Sequence, residues 1–391
     1  KGMGLRTVYV GAALIFGIGS LACAIAPMMP VLLAGRAIQG YGAGMLSGLA
    51  YAFIRFVYPE ALWRKASTLY AAIWGVATVL GPTLGGLFAA GGAWREAFII
   101  LVPLTVIMAL SARRLLPGVA DDRIDTRTPL AQIGLLLTAV LFVSIASTVD
   151  HGTYKVVLIA ISIALVATMV VIERKDDVRL LPYGAVMLGN PISRLYLTMF
   201  TAMMVLTSDI YIPYFLQTLH GVTPLVSGYL VALVALGWTI AAFFSASFSG
   251  RQAVVAIVSG CILETAATAS LIPFLATNTP FDTLARFAPA VIAMFLMGFG
   301  VGLGWAHLVT KIIGIARKTE QDKASAAISM TQSLGGAFGA ALAGVIVNGA
   351  GLTHPGGIAG GISAATWLYA LMAIPGLIAI ALSLTIKPAS A

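Results

Sequence analysis

The stretch Gly75–Gly86 reads GVATVLGPTLGG. Four glycines and a proline stand inside an apolar run that continues on both sides. In water each interior glycine costs a helix about 1 kcal/mol and the proline about 3 kcal/mol. In lipid that disadvantage shrinks, because neighbouring helices supply the packing and small residues let backbones approach. The stretch therefore reads as a membrane helix, with close contacts at its glycines and a bend at Pro82.

The rest of the chain agrees. Of 391 residues, 60% are hydrophobic and only 9% are charged, against about 25% charged in a soluble domain. Apolar runs of about 20 residues mark membrane helices, and twelve are present. They lie near Val8–Met29, Val31–Phe56, Ser67–Ala90, Ala97–Leu115, Leu130–Val149 and Val156–Ile172. The others lie near Leu195–Leu219, Pro224–Phe248, Ala253–Leu275, Phe287–Ile313, Ala324–Val347 and Ile358–Leu384. The expected class is an all-α polytopic membrane protein with twelve transmembrane helices in this chain.

A net charge of +9 raises the question of a nucleic-acid partner, and its distribution argues against one. With Lys1 cytoplasmic and every run spanning, nineteen of the 23 Lys and Arg fall on the side of Lys1, among them Arg64, Lys65, Arg113, Arg114, Arg174, Lys175, Arg317 and Lys318. Only Arg95, Lys155 and Arg286 lie outside, and Arg36 lies within a run. This is the positive-inside bias of an inserted bundle. Cys23 and Cys261 both sit in apolar runs and read as small packing residues, so neither a disulfide nor a metal site is expected. The longest polar stretches, Ser111–Pro129 and Glu173–Arg194, divide the runs into four, two and six. Glycine, 42 in all, clusters within runs, as in GFGVGLG (Gly298–Gly304) and LGGAFGAALAG (Leu334–Gly344). Helices so equipped can pack closely and rock, as a transporter requires.

Few residues in these runs carry chemistry. Arg36, followed by Gln39, stands near the start of the second run. An ionised Arg is costly in hydrocarbon, so it should face a cavity or a partner; the plainer alternative is an interfacial side chain reaching for water. Asp209 stands fourteen residues into the seventh run, ~21 Å deep at 1.5 Å per residue. Glu264 is eleven residues into the ninth, ~17 Å deep. An acid that is neutral when buried and ionised when open to water can couple proton movement to a conformational change; a permanently neutral, hydrogen-bonded acid is the structural alternative. His307, in the inner half of the tenth run, is either a proton relay or a hydrogen-bonded polar residue near the inner mouth. Trp74, Tyr211, Tyr214, Phe215, Trp238 and Trp305 fall on runs and are candidates for an apolar, cation-tolerant pocket or for ordinary packing. His151, His220 and His354 sit in outer loops and carry little information. The chain has no P-loop, no HExxH and no GxSxG motif, so neither nucleotide-driven transport nor an enzyme activity is expected.

Several of these stretches resemble one family. GRAIQGYGAGMLSGLAYAFI (Gly35–Ile54) resembles the fourth-helix motif of the major facilitator superfamily, with Arg36 and Gly40 at its marked positions. GVATVLGPTLGG resembles the antiporter motif of that superfamily's fifth helix, matched by Gly75, Gly81, Pro82, Gly85 and Gly86. WREAFIILVP, IERKDDVRLLPYGAV, YIPYFLQTLHGVTPLVSGYL and TQSLGGAFGAALAG resemble further segments of its fourteen-helix drug:proton antiporter branch. Fifth-helix residues on the third run imply that two helices of the fourteen precede this chain. The resemblance then implies that residues 1–116 are family helices three to six, 117–193 a linker with two additional helices, and 194–391 the C-terminal six-helix bundle. It also implies that Arg36, Asp209 and His307 lie on helices lining a central cavity, with Glu264 on a supporting helix. SFSGRQAVV (Ser247–Val255) departs from the family pattern, having Arg251 but lacking the expected acid.

The expected function is secondary active export of small lipophilic or cationic compounds by alternating access. The proton gradient is the driving force, with no cofactor, and the setting is the lipid bilayer of a bacterial inner membrane, in monomeric form. Two other readings stay open: an exporter of a defined metabolite, peptide or siderophore, and a membrane protein that does not transport.

Overall fold

The computed structural model describes residues 4–57, 77, 80–81, 83–88, 91–116, 129–149, 151–175, 178–281 and 283–387. Among them all regular structure is helical. We number the long helices α1 (Leu5–Ala24), α2 (Met29–Val57), α3 (Glu96–Leu115), α4 (Leu130–Thr148), α5 (Gly152–Lys175) and α6 (Pro191–His220). They continue with α7 (Pro224–Ser245), α8 (Gly250–Leu275), α9 (Leu284–Ile315), α10 (Gln321–Gly349) and α11 (Gly357–Ser383). Ten helices among the described residues are long and apolar enough to cross a membrane. The expected second run is one continuous helix, α2, but is not among the ten. The expected third run lies mostly outside the described residues, as do Trp74, Gly75 and Pro82.

Local chemistry explains the helix ends. Asn190 caps α6, its Oδ1 accepting the Ile192 N–H at 3.1 Å, with Pro191 in the first turn. Thr223 and Pro224 start α7 in the same manner, since proline's missing N–H is not needed there. Gly221 closes α6 at φ 68°, a left-handed conformation that glycine adopts without a Cβ clash. Outward faces are apolar rather than charged: Phe243 is 71% exposed, and Leu130, Ile163 and Leu377 are exposed too. In water such surface would drive association; in hydrocarbon it is the surface a spanning helix must present.

The chain forms two compact units, Lys1–Arg127 and Thr128–Ala391. In the first, α1 packs against both α2 and α3. The α1–α2 contact is made through glycine: a Cβ on Gly19 would meet the backbone of Gln39, and one on Gly35 would lie 2.9 Å from the backbone nitrogen of Cys23. Gly81 and Gly85 behave differently. Both are exposed, and a Cβ on either would meet nothing within 4 Å. Among the described residues neither makes a close contact, and Gly86 is buried.

In the second unit, α9 lies between α7 and α8. GFGVGLG resolves into two interleaved stripes. Gly298 and Gly302 abut the α7 backbone at Val234 and Trp238, while Gly300 and Gly304 abut α8 at Glu264 and Ile257. On α10, Gly335 and Gly339 abut Phe200 and Met204 of α6. A core of fully buried Phe215 and Leu216 (α6), Leu271 (α8), Met294 and Met297 (α9) and Leu368 (α11) fills the unit.

The α4–α5 pair belongs to this second unit. Ser162 of α5 donates to the Ala139 carbonyl of α4 at 2.8 Å, and Asn348 of α10 donates to the Ser147 carbonyl of α4 at 2.7 Å. The segment after α5 is anchored rather than loose. Buried Glu173 accepts the N–H groups of Leu180 and Leu181 at 3.1 and 2.6 Å. Gln132 donates to the Val178 carbonyl at 2.9 Å, and Arg174 donates to the Val186 carbonyl at 2.8 Å. Glu320 accepts the Tyr183 N–H at 3.2 Å, and the Arg317 guanidinium lies 4.0 Å from the Tyr183 ring centroid.

Candidate functional site

The candidate residues fall into both units. In the first, Arg36 on α2 is exposed and donates from its guanidinium to Gln39 Oε1. Gln39, one turn further on, is buried, and its Nε2 donates to Ser20 Oγ of α1 at 2.8 Å. Ser20 in turn donates to the Phe16 carbonyl at 2.8 Å. Because Gly19 lets the two helices touch at Gln39, this chain of bonds fixes Arg36 from behind. Its guanidinium carbon stands 6.0 Å from the Phe98 ring of α3, a distance at which a cation is attracted to a ring face. Arg36 is thus a held cation on a helix surface.

In the second unit Asp209 occupies a break. Helix α6 is interrupted by a 3-10 turn over Thr207–Tyr211 before it resumes at Ile212. Pro213 accounts for the interruption: it has no N–H for the carbonyl four residues back, which is that of Asp209, and its ring crowds that oxygen. The carbonyl is satisfied instead by the Ile212 N–H. Asp209 is partly buried, and its carboxyl faces the N–H of Ile210. On the same helix, Phe215 lies 5.7 Å from Tyr214 and 6.3 Å from Tyr211 between ring centroids. Of the expected aromatic candidates, these three form one cluster on α6; Trp238 and Trp305 form a separate pair 5.1 Å apart, packed on the core.

Glu264 is 1% exposed, and its Oε1 has no hydrogen-bond partner. Its backbone abuts Gly300 of α9. His307 on α9 is buried with its Nε2 unpartnered. The ring lies parallel to Phe248 at 6.4 Å and within reach of the Ser245 carbonyl at the end of α7. Asp209, Glu264 and His307 thus stand on three different helices, each with its own neighbours. Among the described residues no group of three or more His, Cys, Asp or Glu is placed to hold a metal.

The sequence did not point to two further residues. His220, expected to be uninformative, is buried at the end of α6; its Nδ1 stands 2.6 Å from the Thr279 carbonyl, and the ring stacks on Phe281 at 4.1 Å. It ties the loop after α8 to α6. Tyr369 on α11 is fully buried with an unpartnered hydroxyl. Within ATWLYALMA (Ala365–Ala373) nothing separates it from an interfacial aromatic, so only packing reveals it.

Comparison with known proteins gives a consistent picture. Residues 1–288 match the sequence profile described as the Major Facilitator Superfamily. A "Probable multidrug-efflux transporter" of Mycobacterium tuberculosis is 36% identical over 386 residues, covering 96% of this chain and 80% of that protein. A "Multidrug efflux pump" of Staphylococcus aureus is 23% identical over 357 residues, 87% of this chain and 75% of that protein. Among solved structures, a POT family transporter in complex with a thioalcohol-conjugated peptide superposes with a TM-score of 0.67 at 11% identity. That match covers 98% of this chain and 82% of the other, and at this identity the likeness is one of fold.

Proposed function

The chain belongs to the Major Facilitator Superfamily, and within it we propose that the protein exports small lipophilic or cationic compounds in exchange for protons, by alternating access. Asp209 carries this reading. An ionisable acid within an apolar helix is expensive and marks an ion or substrate pathway, and here it stands where the helix is broken and its backbone bonds are rearranged. Broken helices beside an ionisable group are how secondary transporters build coupling sites. The multidrug-efflux relative at 36% identity supports the direction and the substrate class. Arg36, held by Gln39, acts as the fixed cation of the first unit; Glu264 and His307 are secondary acid–base sites of the pathway. The α4–α5 pair, which stands in chain order between the first three helices and the last six, supports assignment to the fourteen-helix drug:proton branch, with twelve spanning helices in this chain. The protein works as a monomer in a bacterial inner membrane, driven by the proton gradient without a cofactor.

The test is exchange by the full-length protein in proteoliposomes, with ethidium, a lipophilic cation, as probe. Saturable ethidium movement driven by an imposed pH gradient and abolished by a protonophore is the expected result. Unsaturable flux indifferent to the gradient rejects proton-coupled export. Asp209→Asn should remove the dependence on the gradient; an unaltered dependence rejects Asp209 as the coupling acid.

A further inference from the structure

Tyr369 is fully buried in α11, and its hydroxyl finds no partner. A buried polar atom left unpaired in a packed interior calls for an explanation. Packing does not supply one. The ring lies edge-on to Phe215 at 6.1 Å and 67°, a contact that a phenylalanine would make equally well. What the hydroxyl does have is an electrostatic neighbour, Asp209. The turn Thr207–Tyr211 packs against α11, against α10 and against the flanking segments of α6. Tyr369 is the only titratable residue of α11, and α10 has only Asp322 and Lys323, both in its first turn. Helix α6 itself contributes Arg194 and Tyr196 near its start, Tyr211 and Tyr214 around the turn, and His220 at its end.

We infer that Tyr369 is a positioning residue for Asp209: its hydroxyl donates a hydrogen bond to the carboxylate when Asp209 is ionised and releases it when Asp209 is protonated. The phenolic proton stays on its own oxygen throughout; only the hydrogen bond forms and breaks. The hydroxyl thereby helps to set the pH at which the transporter takes up and gives up its proton. This rests on Asp209 being the coupling acid.

The experiment compares full-length wild type, Tyr369→Phe, Asp209→Asn and the double variant in proteoliposomes, reading the pH profile of gradient-driven ethidium exchange beside the melting temperature in detergent. Tyr369→Phe keeps the ring and removes an unpaired polar atom, so its melting temperature should equal or exceed that of wild type. Its exchange profile should move to the alkaline side by about one to two pH units, the effect of one lost hydrogen bond to a carboxylate. In the Asp209→Asn background, read as ethidium counterflow at each pH without an imposed gradient, the same substitution should change nothing. A Tyr369→Phe profile that overlays wild type, while Asp209→Asn abolishes coupling, overturns the role of Tyr369 and leaves that of Asp209 standing. A shift that persists in the double variant also overturns it, because the effect then bypasses Asp209. Unaltered pH dependence in Asp209→Asn rejects the coupling acid itself, and this inference with it.

Discussion

Replacing Gly298 by alanine adds one methyl group where α9 crosses α7. That methyl would lie 2.6 Å from the carbonyl carbon of Val234 and 3.0 Å from its Cα, whereas non-bonded carbons settle at about 3.5–4.0 Å. The colliding atoms are backbone, and the Val234 carbonyl oxygen is nearer still, so the two helices have to separate by at least about 1 Å. A gap of that size forfeits roughly a quarter to a half of each atom-pair attraction, itself ~0.1–0.2 kcal/mol. For on the order of 50 atom pairs, the loss is about 2–3 kcal/mol. Helix propensity returns at most about 1 kcal/mol, leaving a net destabilisation of about 1–2 kcal/mol. Gly314, near the end of the same helix, is exposed, and a Cβ there would meet nothing within 4 Å, so Gly314→Ala carries the propensity gain alone. Thermal unfolding in detergent should show Gly298→Ala melting about 1–3 °C below wild type and Gly314→Ala at or slightly above it. The two stripes can also be told apart by additivity. Gly298→Ala and Gly302→Ala both push α9 from α7, so one separation relieves both and their combined cost should fall below the sum. Gly298→Ala and Gly300→Ala push against different helices and should add. Wild-type stability in Gly298→Ala refutes the close α7–α9 contact, and equal additivity in both pairs refutes the division into faces.

Three other substitutions probe the anchors. Glu173→Gln keeps the side-chain shape but takes the charge from two backbone hydrogen bonds; charged bonds are about twice as strong, so trypsin should cut between Arg174 and Arg179 faster in inside-out vesicles, and an unchanged rate rejects Glu173 as the anchor. Asn348→Leu removes the bond from α10 to the Ser147 carbonyl. At about 0.6 kcal/mol for a polar contact in a membrane bundle, its melting temperature should fall by about 1 °C, and no fall means that α4 is held by packing alone. Gln39→Leu leaves Arg36 without its acceptor and Ser20 without its donor. Ethidium exchange should drop about tenfold, the size of one hydrogen bond to a charged group, and full activity would show that Arg36 needs no positioning.

Much of this protein is legible from its sequence because lipid imposes a single rule on the backbone. Apolar length located α4 and α6 to α11 to within a few residues, since in hydrocarbon a helix must satisfy its own N–H and C=O groups. The same rule could not say which way a glycine faces. GFGVGLG reads as one cluster, yet its alternate glycines touch opposite neighbours, a consequence of where α7 and α8 lie. The polar stretch after α5 looked like a linker because it is charged; it is fixed because Glu173, Gln132 and Glu320 find its backbone. His220 and Tyr369 were invisible for a related reason: their significance lies in partners 59 residues away in the one case and on another helix in the other.

Asp209 shows how far a local rule can reach once geometry is known. Depth within an apolar run marked it as costly, but depth alone does not separate a coupling acid from a structural one. The discriminating feature is Pro213, four residues on. A proline at that spacing always withdraws a hydrogen bond from the residue four before it, so the chain frees the backbone at the very residue that carries the acid. Glu264 has no such proline; the next is Pro273, nine residues on, and the backbone of α8 runs unbroken past the acid. Its carboxyl is buried with one oxygen unpaired, and the α8 backbone at the acid is held against Gly300 of α9. Asp209 needs only a rearrangement of a turn that is already irregular. For a group that must meet water in one state and be withdrawn from it in another, the broken helix presents the lower barrier, which favours Asp209 over Glu264 as the coupling acid of the proposed exchange.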